Sequence, residues 1–178
     1  MHFQELELRG SWVGQTEIFR DERGSFREFF KFEQFVEMSG IRFVVAQANT
    51  STSKLGVIRG VHYSTTDKGQ AKWVTCLSGR INDVIVDLRS DSITYGKWIS
   101  VELTSNNGKA VYIGEGFGHG FSSLEANSTV AYMLSSEYSP DKEFGINPLD
   151  SELSIDWGIE GLFPVLSKKD SQAPGFKK

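Results

Sequence analysis

The stretch Gly56-Val57-Ile58-Arg59-Gly60-Val61-His62-Tyr63-Ser64 decides how this chain reads. It is rich in β-formers, and Gly56 and Gly60 mark strand ends or bulges. Side chains on a strand alternate between faces. His62 therefore shares a face with Ile58, Gly60 and Ser64, and Arg59 points the other way unless a bulge intervenes. A second stretch runs from Gly108 to His119, with Gly114, Gly116 and Gly118 crowded before the histidine. The rest of the chain reads as a scaffold that brings these two stretches together.

Composition narrows the class. A chain of 178 residues, 39% of them hydrophobic, is long enough for one domain with a real core, spanning 1–178. A net charge of −4 argues against a general nucleic-acid binder, so any phosphate site is built from a few placed arginines and lysines. The single cysteine, Cys76, cannot pair within the chain, which favours a reducing compartment. Met1-His2-Phe3-Gln4-Glu5 shows no basic region followed by an apolar run, so no signal peptide is expected. No run is long enough to span a bilayer. A cytoplasmic protein without a membrane partner is the expectation.

Working outward, strands are expected over 16–19, 42–50, 56–64, 70–77, 81–88, 97–104, 110–113, 118–122 and 129–138, and a short helix over 33–38, ended by Gly40. A polar turn is expected over 65–69, and Ser105-Asn106-Asn107-Gly108 is a strong turn signal. His2 reads as part of a frayed terminus. Gln70, Lys72, Val74 and Cys76 share a face, as do Val130, Tyr132 and Leu134. Val84, Val86 and Leu88 alternate against Asp83, Ile85 and Asp87. One weak boundary falls near Pro140, and the tail beyond it reads as loop. Short strands at this spacing with almost no helix indicate an all-β sandwich or jelly roll.

The two opening stretches resemble the cupin double motif. His62 follows Gly56 at the first motif's spacing, with Ser64 in place of its second histidine. Gly108 and Gly114-Glu115-Gly116-Phe117-Gly118-His119 keep the second motif's spacing. A metal cupin needs about three histidines and a carboxylate around one ion. This chain has three histidines in all, and Ser64 stands in a ligand position. No metal is therefore expected, and acid–base chemistry is. A neutral histidine can take a proton near neutral pH. A lysine can hold an oxyanion that develops on a ketone oxygen. A tyrosine can return a proton from the opposite face. His62, Lys72 and Tyr132 all lie on expected strands, which can aim them.

Further motifs make the resemblance specific. They are Asp21-x-Arg23-Gly24-x-Phe26-x-Glu28, Gln47-x-Asn49, Arg59-Gly60-Val61-His62-Tyr63, Gln70-Ala71-Lys72, Asp83-Val84-x-Val86-Asp87-x-Arg89, Gly116-Phe117-Gly118-His119-Gly120-Phe121 and Leu166-Ser167-Lys168-Lys169-Asp170. In this order, from about residue 10 to about residue 176, they resemble the dTDP-4-dehydrorhamnose 3,5-epimerases, a family of cofactor-free cupin jelly rolls that work as homodimers. The resemblance implies the conversion of dTDP-4-keto-6-deoxy-D-glucose to dTDP-4-keto-L-rhamnose, for dTDP-L-rhamnose biosynthesis. It implies that His62 is the base, oriented by Asp170, that Lys72 steadies the enolate, and that Tyr132 is the acid. Arg59 and His119, with Arg23, would hold the diphosphate. Glu28, Gln47, Asn49, Glu143 and Lys168 would complete the contacts, and Tyr138 would stack on thymine. The Arg23 to Glu28 segment would reach into the partner subunit's site.

The chain departs from the family where Ser64 replaces a glutamine, Gly114 a proline and Gly118 an alanine, and these changes are expected to loosen the sugar pocket. Plainer readings stand beside each assignment. A strand histidine is commonly a satisfied polar residue, a lysine can snorkel, and tyrosines can pack in a core or its rim. Asp83, Asp87 and Arg89 are assigned to structure, and Trp73 and Trp98 to packing. The competing functions are a single-carbon epimerase of a related sugar, a metal-dependent cupin and a non-catalytic binder of sugar nucleotides.

Overall fold

A computed structural model describes residues 1–66 and 69–177. The strands are β1 (His2–Glu5), β2 (Ser11–Gln15), β3 (Phe19–Asp21), β4 (Gly24–Phe26), β5 (Gln47–Ser53), β6 (Ile58–Ser64), β7 (Lys72–Ser78), β8 (Arg80–Asp87), β9 (Trp98–Thr104), β10 (Lys109–Ile113), β11 (Phe117–Ser123), β12 (Ser128–Leu134) and β13 (Glu143–Gly145). Two short helices, α1 (Phe32–Ser39) and α2 (Lys168–Ser171), complete the set. Among the described residues the strands form a six-stranded sheet, β1-β2-β10-β7-β12-β5, a five-stranded sheet, β13-β6-β11-β8-β9, and the separate hairpin β3–β4. All pairings within these sheets are antiparallel. The fold is a cupin-type jelly roll; strand spacing predicts a sandwich or jelly roll, and the motif resemblance implies the cupin type.

The two sheets face each other across a core of Val74, Cys76, Ile81, Ile85, Val111, Phe121 and Val130. The outer face of the six-stranded sheet is covered from the N-terminal part of the chain. There Phe35 of α1 and Phe43 pack on Trp73 and Tyr112. The outer face of the five-stranded sheet is covered by the tail, where Ile146, Leu153, Trp157 and Phe176 pack on Ile58, Val61, Val84 and Val86. Residues on both sides of Pro140 thus share one apolar cluster. β8 is covered on both faces, which explains its run of apolar residues.

Several expectations shift. The first strand lies earlier than expected: β1 and β2 precede residue 16, and His2 is paired with Gln15 rather than frayed. Polar and charged residues in β1 and β2 hide the alternation that marks a strand. β5 begins at Gln47, five residues later than expected, and β12 ends at Leu134, so Tyr138 sits in the loop beyond it. The helix ends as expected, with Gly40 at φ 74° and its N–H on the Val36 carbonyl. Of the expected turn at 65–69, positions 67 and 68 lie outside the described residues. Its ends are joined by the Gly69 N–H on the Thr66 carbonyl, at 2.7 Å.

β6 carries the irregularity that matters most. Against β11, His62 pairs with His119, yet Arg59 pairs with Phe121, so the register slips between them. The extra residue on β6 reverses the alternation, as a bulge does. Ile58 and Val61 face the tail, while Arg59 and His62 face the space between the sheets. Gly60 makes this possible. Its φ is 114°, and a Cβ there would lie 2.6 Å from the His119 carbonyl oxygen.

Candidate active site

Between the sheets lies a cavity of about 310 Å³, in the size range of small-molecule sites. One wall comes from β6 and β11, which supply Arg59, His62, His119 and Phe121. The facing wall comes from β5, β7 and β12, which supply Gln47, Asn49, Ser51, Lys72, Tyr132 and Leu134. β5 can do this because its alternate residues turn inward while Ala48, Thr50 and Thr52 stay exposed. Gln70, Tyr138, Glu143, Phe144, Ser167, Lys169 and Asp170 close the rest.

His62 donates from Nε2 to Asp170 Oδ1 at 2.6 Å. Asp170 is buried at 5% exposure, whereas the His62 side chain is 37% exposed, so the ring keeps a free edge on the cavity. Ser167 caps α2 and accepts the Asp170 N–H at 3.0 Å, which fixes the carboxylate's helix. Burial pushes the Asp170 carboxyl up. The hydrogen bond and charge of His62, with Ser167 and the Gly60 N–H, outweigh burial and hold it below the usual carboxylate range. An ionised carboxylate on Nε2 leaves Nδ1 as the ring nitrogen that can take a proton. This is the orienting role of a triad carboxylate.

Lys72 is buried, and its Nζ donates to the His62 carbonyl at 3.4 Å. Burial pushes its ammonium down to about 8, against the opposing pull of Glu143 and Asp83. The charge is therefore kept at neutral pH and lost above it. If this ammonium stabilises a developing oxyanion, activity falls as pH rises through about 8. A profile of kcat across the alkaline range checks this. A kcat that stays flat across the alkaline range would remove Lys72 from the charge-bearing step. Lys72→Arg should push the limb out of range, because guanidinium stays protonated.

Arg59 is held at the cavity by Nε on Ser53 Oγ, at 2.9 Å, and Nη2 on the Thr52 carbonyl, at 3.2 Å. His119, paired with His62 across the strands, donates from Nε2 to Asp83 Oδ2 at 2.8 Å. Gln47 donates to Asn49 Oδ1 and accepts the Tyr138 N–H, so the loop bearing Tyr138 is tied to β5. Tyr138 itself is 55% exposed at the rim. Ser51 Oγ and Glu143 Oε1 are buried with no hydrogen-bond partner among the described residues. Buried polar atoms left in this way fit a polar ligand.

Most residues expected at the site meet there: His62, Lys72, Tyr132, Asp170, Gln47, Asn49, Arg59, His119, Tyr138 and Glu143. Three do not. Lys168 is not among the lining residues and Lys169 is, one step along α2 turning the side chain by about 100°. Arg23 pairs with Asp21 in the exposed β3–β4 hairpin, and Glu28 pairs with Lys31 at 2.7 Å. Neither lines this chain's cavity. The expected loosening of the pocket is also corrected. Ser64, Gly114 and Gly118 are not among the lining residues. A Cβ at Gly118 would instead meet Val61 Cγ1 at 2.6 Å, and one at Gly114 the Gly10 carbonyl at 2.7 Å. Of the residues assigned to structure, Asp83 bonds His119 across β8 and β11, and Asp87 and Arg89 hold each other, at 2.7 Å. The residues that sequence reading missed at the site are Ser51, Gln70, Phe121, Leu134, Phe144, Ser167 and Lys169. Period two from Gln47 and Asn49 was signal enough for Ser51.

Comparison with known proteins gives one answer. The model of the dTDP-4-dehydrorhamnose 3,5-epimerase family matches residues 5–178. The Streptomyces griseus dTDP-4-dehydrorhamnose 3,5-epimerase is 42% identical, over 96% of this chain and 84% of its own length. The structure of the Mycobacterium tuberculosis rmlC epimerase superposes with a TM-score of 0.94 at 41% identity, covering 98% of this chain and 88% of that one. ChmJ, a 3'-monoepimerase from Streptomyces bikiniensis solved with dTDP-quinovose, superposes with a TM-score of 0.92 at 39% identity, covering 98% and 87%.

Proposed function

Because the chain belongs to the dTDP-4-dehydrorhamnose 3,5-epimerase family, whose members are isomerases of sugar nucleotides, we propose that it inverts C3 and C5 of dTDP-4-keto-6-deoxy-D-glucose to give dTDP-4-keto-L-rhamnose. One observation carries the reading: His62, backed by Asp170, and Tyr132 stand on facing walls of a single cavity. Inversion needs this two-sided arrangement, because the proton must leave one face of the carbon and return to the other.

The 4-keto group acidifies the hydrogens at C3 and C5. His62 takes a proton through Nδ1, and the imidazolium is steadied by the Asp170 carboxylate. The electron pair moves onto the keto oxygen, where the Lys72 ammonium stabilises the enolate. Tyr132 then delivers its hydroxyl proton to the other face, and solvent restores both groups. Arg59 and His119 hold the diphosphate by charge-assisted hydrogen bonds. Gln47, Asn49, Glu143 and Lys169 complete the polar contacts, and Tyr138 stacks on the thymine.

The same reading gives Arg23 and Glu28 a place in the partner's site of a homodimer. Their exposure supports it, as does the hairpin's exposure of Phe19 and Phe26 at 52% and 65%. The lone buried thiol of Cys76 fits a cytoplasmic enzyme.

Incubation with dTDP-4-keto-6-deoxyglucose in deuterated water tests the reaction. Label is expected at both C3 and C5. The similarity to a 3'-monoepimerase supports a second reading, inversion at one carbon only. Label confined to one carbon after long incubation would select it, and no label at either carbon would end the epimerase reading.

A further inference from the structure

Asp83 is wholly buried in the middle of β8, between Ile81 and Ile85 on the core face. A carboxylate in such surroundings is costly unless it is paired. Its Oδ2 accepts from His119 Nε2 at 2.8 Å, and its Oδ1 is buried with no hydrogen-bond partner among the described residues. His119 is itself only 8% exposed and lines the cavity. With Nε2–H committed to Asp83, Nδ1 is the ring nitrogen left for a ligand. Nδ1 can donate to a diphosphate oxygen only if it carries a proton when the ligand is bound.

Asp83 also bears on the facing wall, since its charge is one of two that support the Lys72 ammonium. The other is Glu143. The remaining charged or titratable groups around the cavity are His62 and Arg59 of β6, Tyr132 of β12, Tyr138 beyond it, and Lys169 and Asp170 of α2. Asp170 is already engaged by His62, so Asp83 is the anion that His119 holds directly and Lys72 feels from across the cavity.

We propose that Asp83 is a positioning residue of the reaction, which fixes the His119 ring so that Nδ1 faces the diphosphate as a donor and sets an anion opposite the Lys72 ammonium. The proposal rests on reading the cavity as a dTDP-sugar site. It differs from the plain alternative, in which Asp83 and His119 only tie β8 to β11.

Asp83→Asn keeps size and a hydrogen-bond acceptor but removes the charge. Its affinity for dTDP, measured by calorimetry, should fall about tenfold or more. The alkaline limb of kcat should move to lower pH by about one unit, because the ammonium loses an attracting charge. In a His119→Gln background the same substitution should no longer change dTDP affinity, since the two act as one unit. A folded Asp83→Asn variant with unchanged dTDP affinity and an unmoved limb would overturn the proposal and leave Asp83 structural. If that variant does not fold, ring-nitrogen NMR of the wild type decides. Both His119 nitrogens should carry protons in the dTDP complex, and a neutral ring there would overturn the proposal. A wild type that does not bind dTDP would overturn the sugar-nucleotide reading as well. A wild type that binds and turns over beside an unaltered Asp83→Asn would overturn the role of Asp83 alone.

Discussion

His62→Asn is expected to lower epimerisation by about 10²–10⁴-fold, the usual contribution of a positioned general base. Asparagine keeps a polar group beside Asp170 but has no useful basicity. The fold should survive, because the buried Asp170 carboxylate keeps Ser167 and the Gly60 N–H, both of which favour its ionised form. β6 also keeps its pairing with β11 and β13. Deuterium uptake from solvent should fall with product formation, since both wait for proton abstraction. dTDP affinity should change little, because the nucleotide contacts lie elsewhere. Uptake near the wild-type rate in a folded variant would remove His62 from the mechanism.

Tyr132→Phe should separate two events that His62→Asn stops together. The enolate still forms, and His62 can return a proton to the face it left. Isotope exchange should therefore persist while the inverted product falls by about 10²–10⁴-fold. The substitution removes a hydroxyl from a ring that packs partly against Val130 and its neighbours, so the loss of packing is small. Tyr132 stands on β12 between Asn49 of β5 and Val74 of β7, which fixes it on the wall facing His62. Mass and NMR analysis of product formed in deuterated water distinguishes exchange from inversion. Undiminished inversion would show that another group or water supplies the second proton.

Much of the site was legible because its residues sit in regular strands. Period two placed Gln47 with Asn49, Lys72 with Val74, and Tyr132 with Leu134, and the structure keeps each pair on one face. The same rule covers Ser51, which needed only one more step along β5. Residues outside regular strands were less legible. On α2 the choice between Lys168 and Lys169 depends on the helix rotation set by the Ser167 cap and by Asp170 docking on His62. Arg23, in the β3–β4 hairpin, and Glu28, beyond it, carry the family motif, yet neither lines this chain's cavity. Gly114 and Gly118 read as pocket changes because they stand where the family has proline and alanine. Their missing Cβ atoms answer instead to the Gly10 carbonyl and to Val61.

The sequence by itself determined the all-β class, the two glycine–histidine stretches and the family, because alternation, turn residues and motif order are local or linear properties. The tertiary structure decided the chemistry's geometry. Parity along β6 put Arg59 and His62 on opposite faces, and one extra residue at Gly60 turned them to the same side. Asp170 meets His62 across 108 positions of sequence, and Asp83 meets His119 across 36. Which buried carboxylate faces which histidine follows from strand order and packing between layers. Spacing along the chain carries no trace of either.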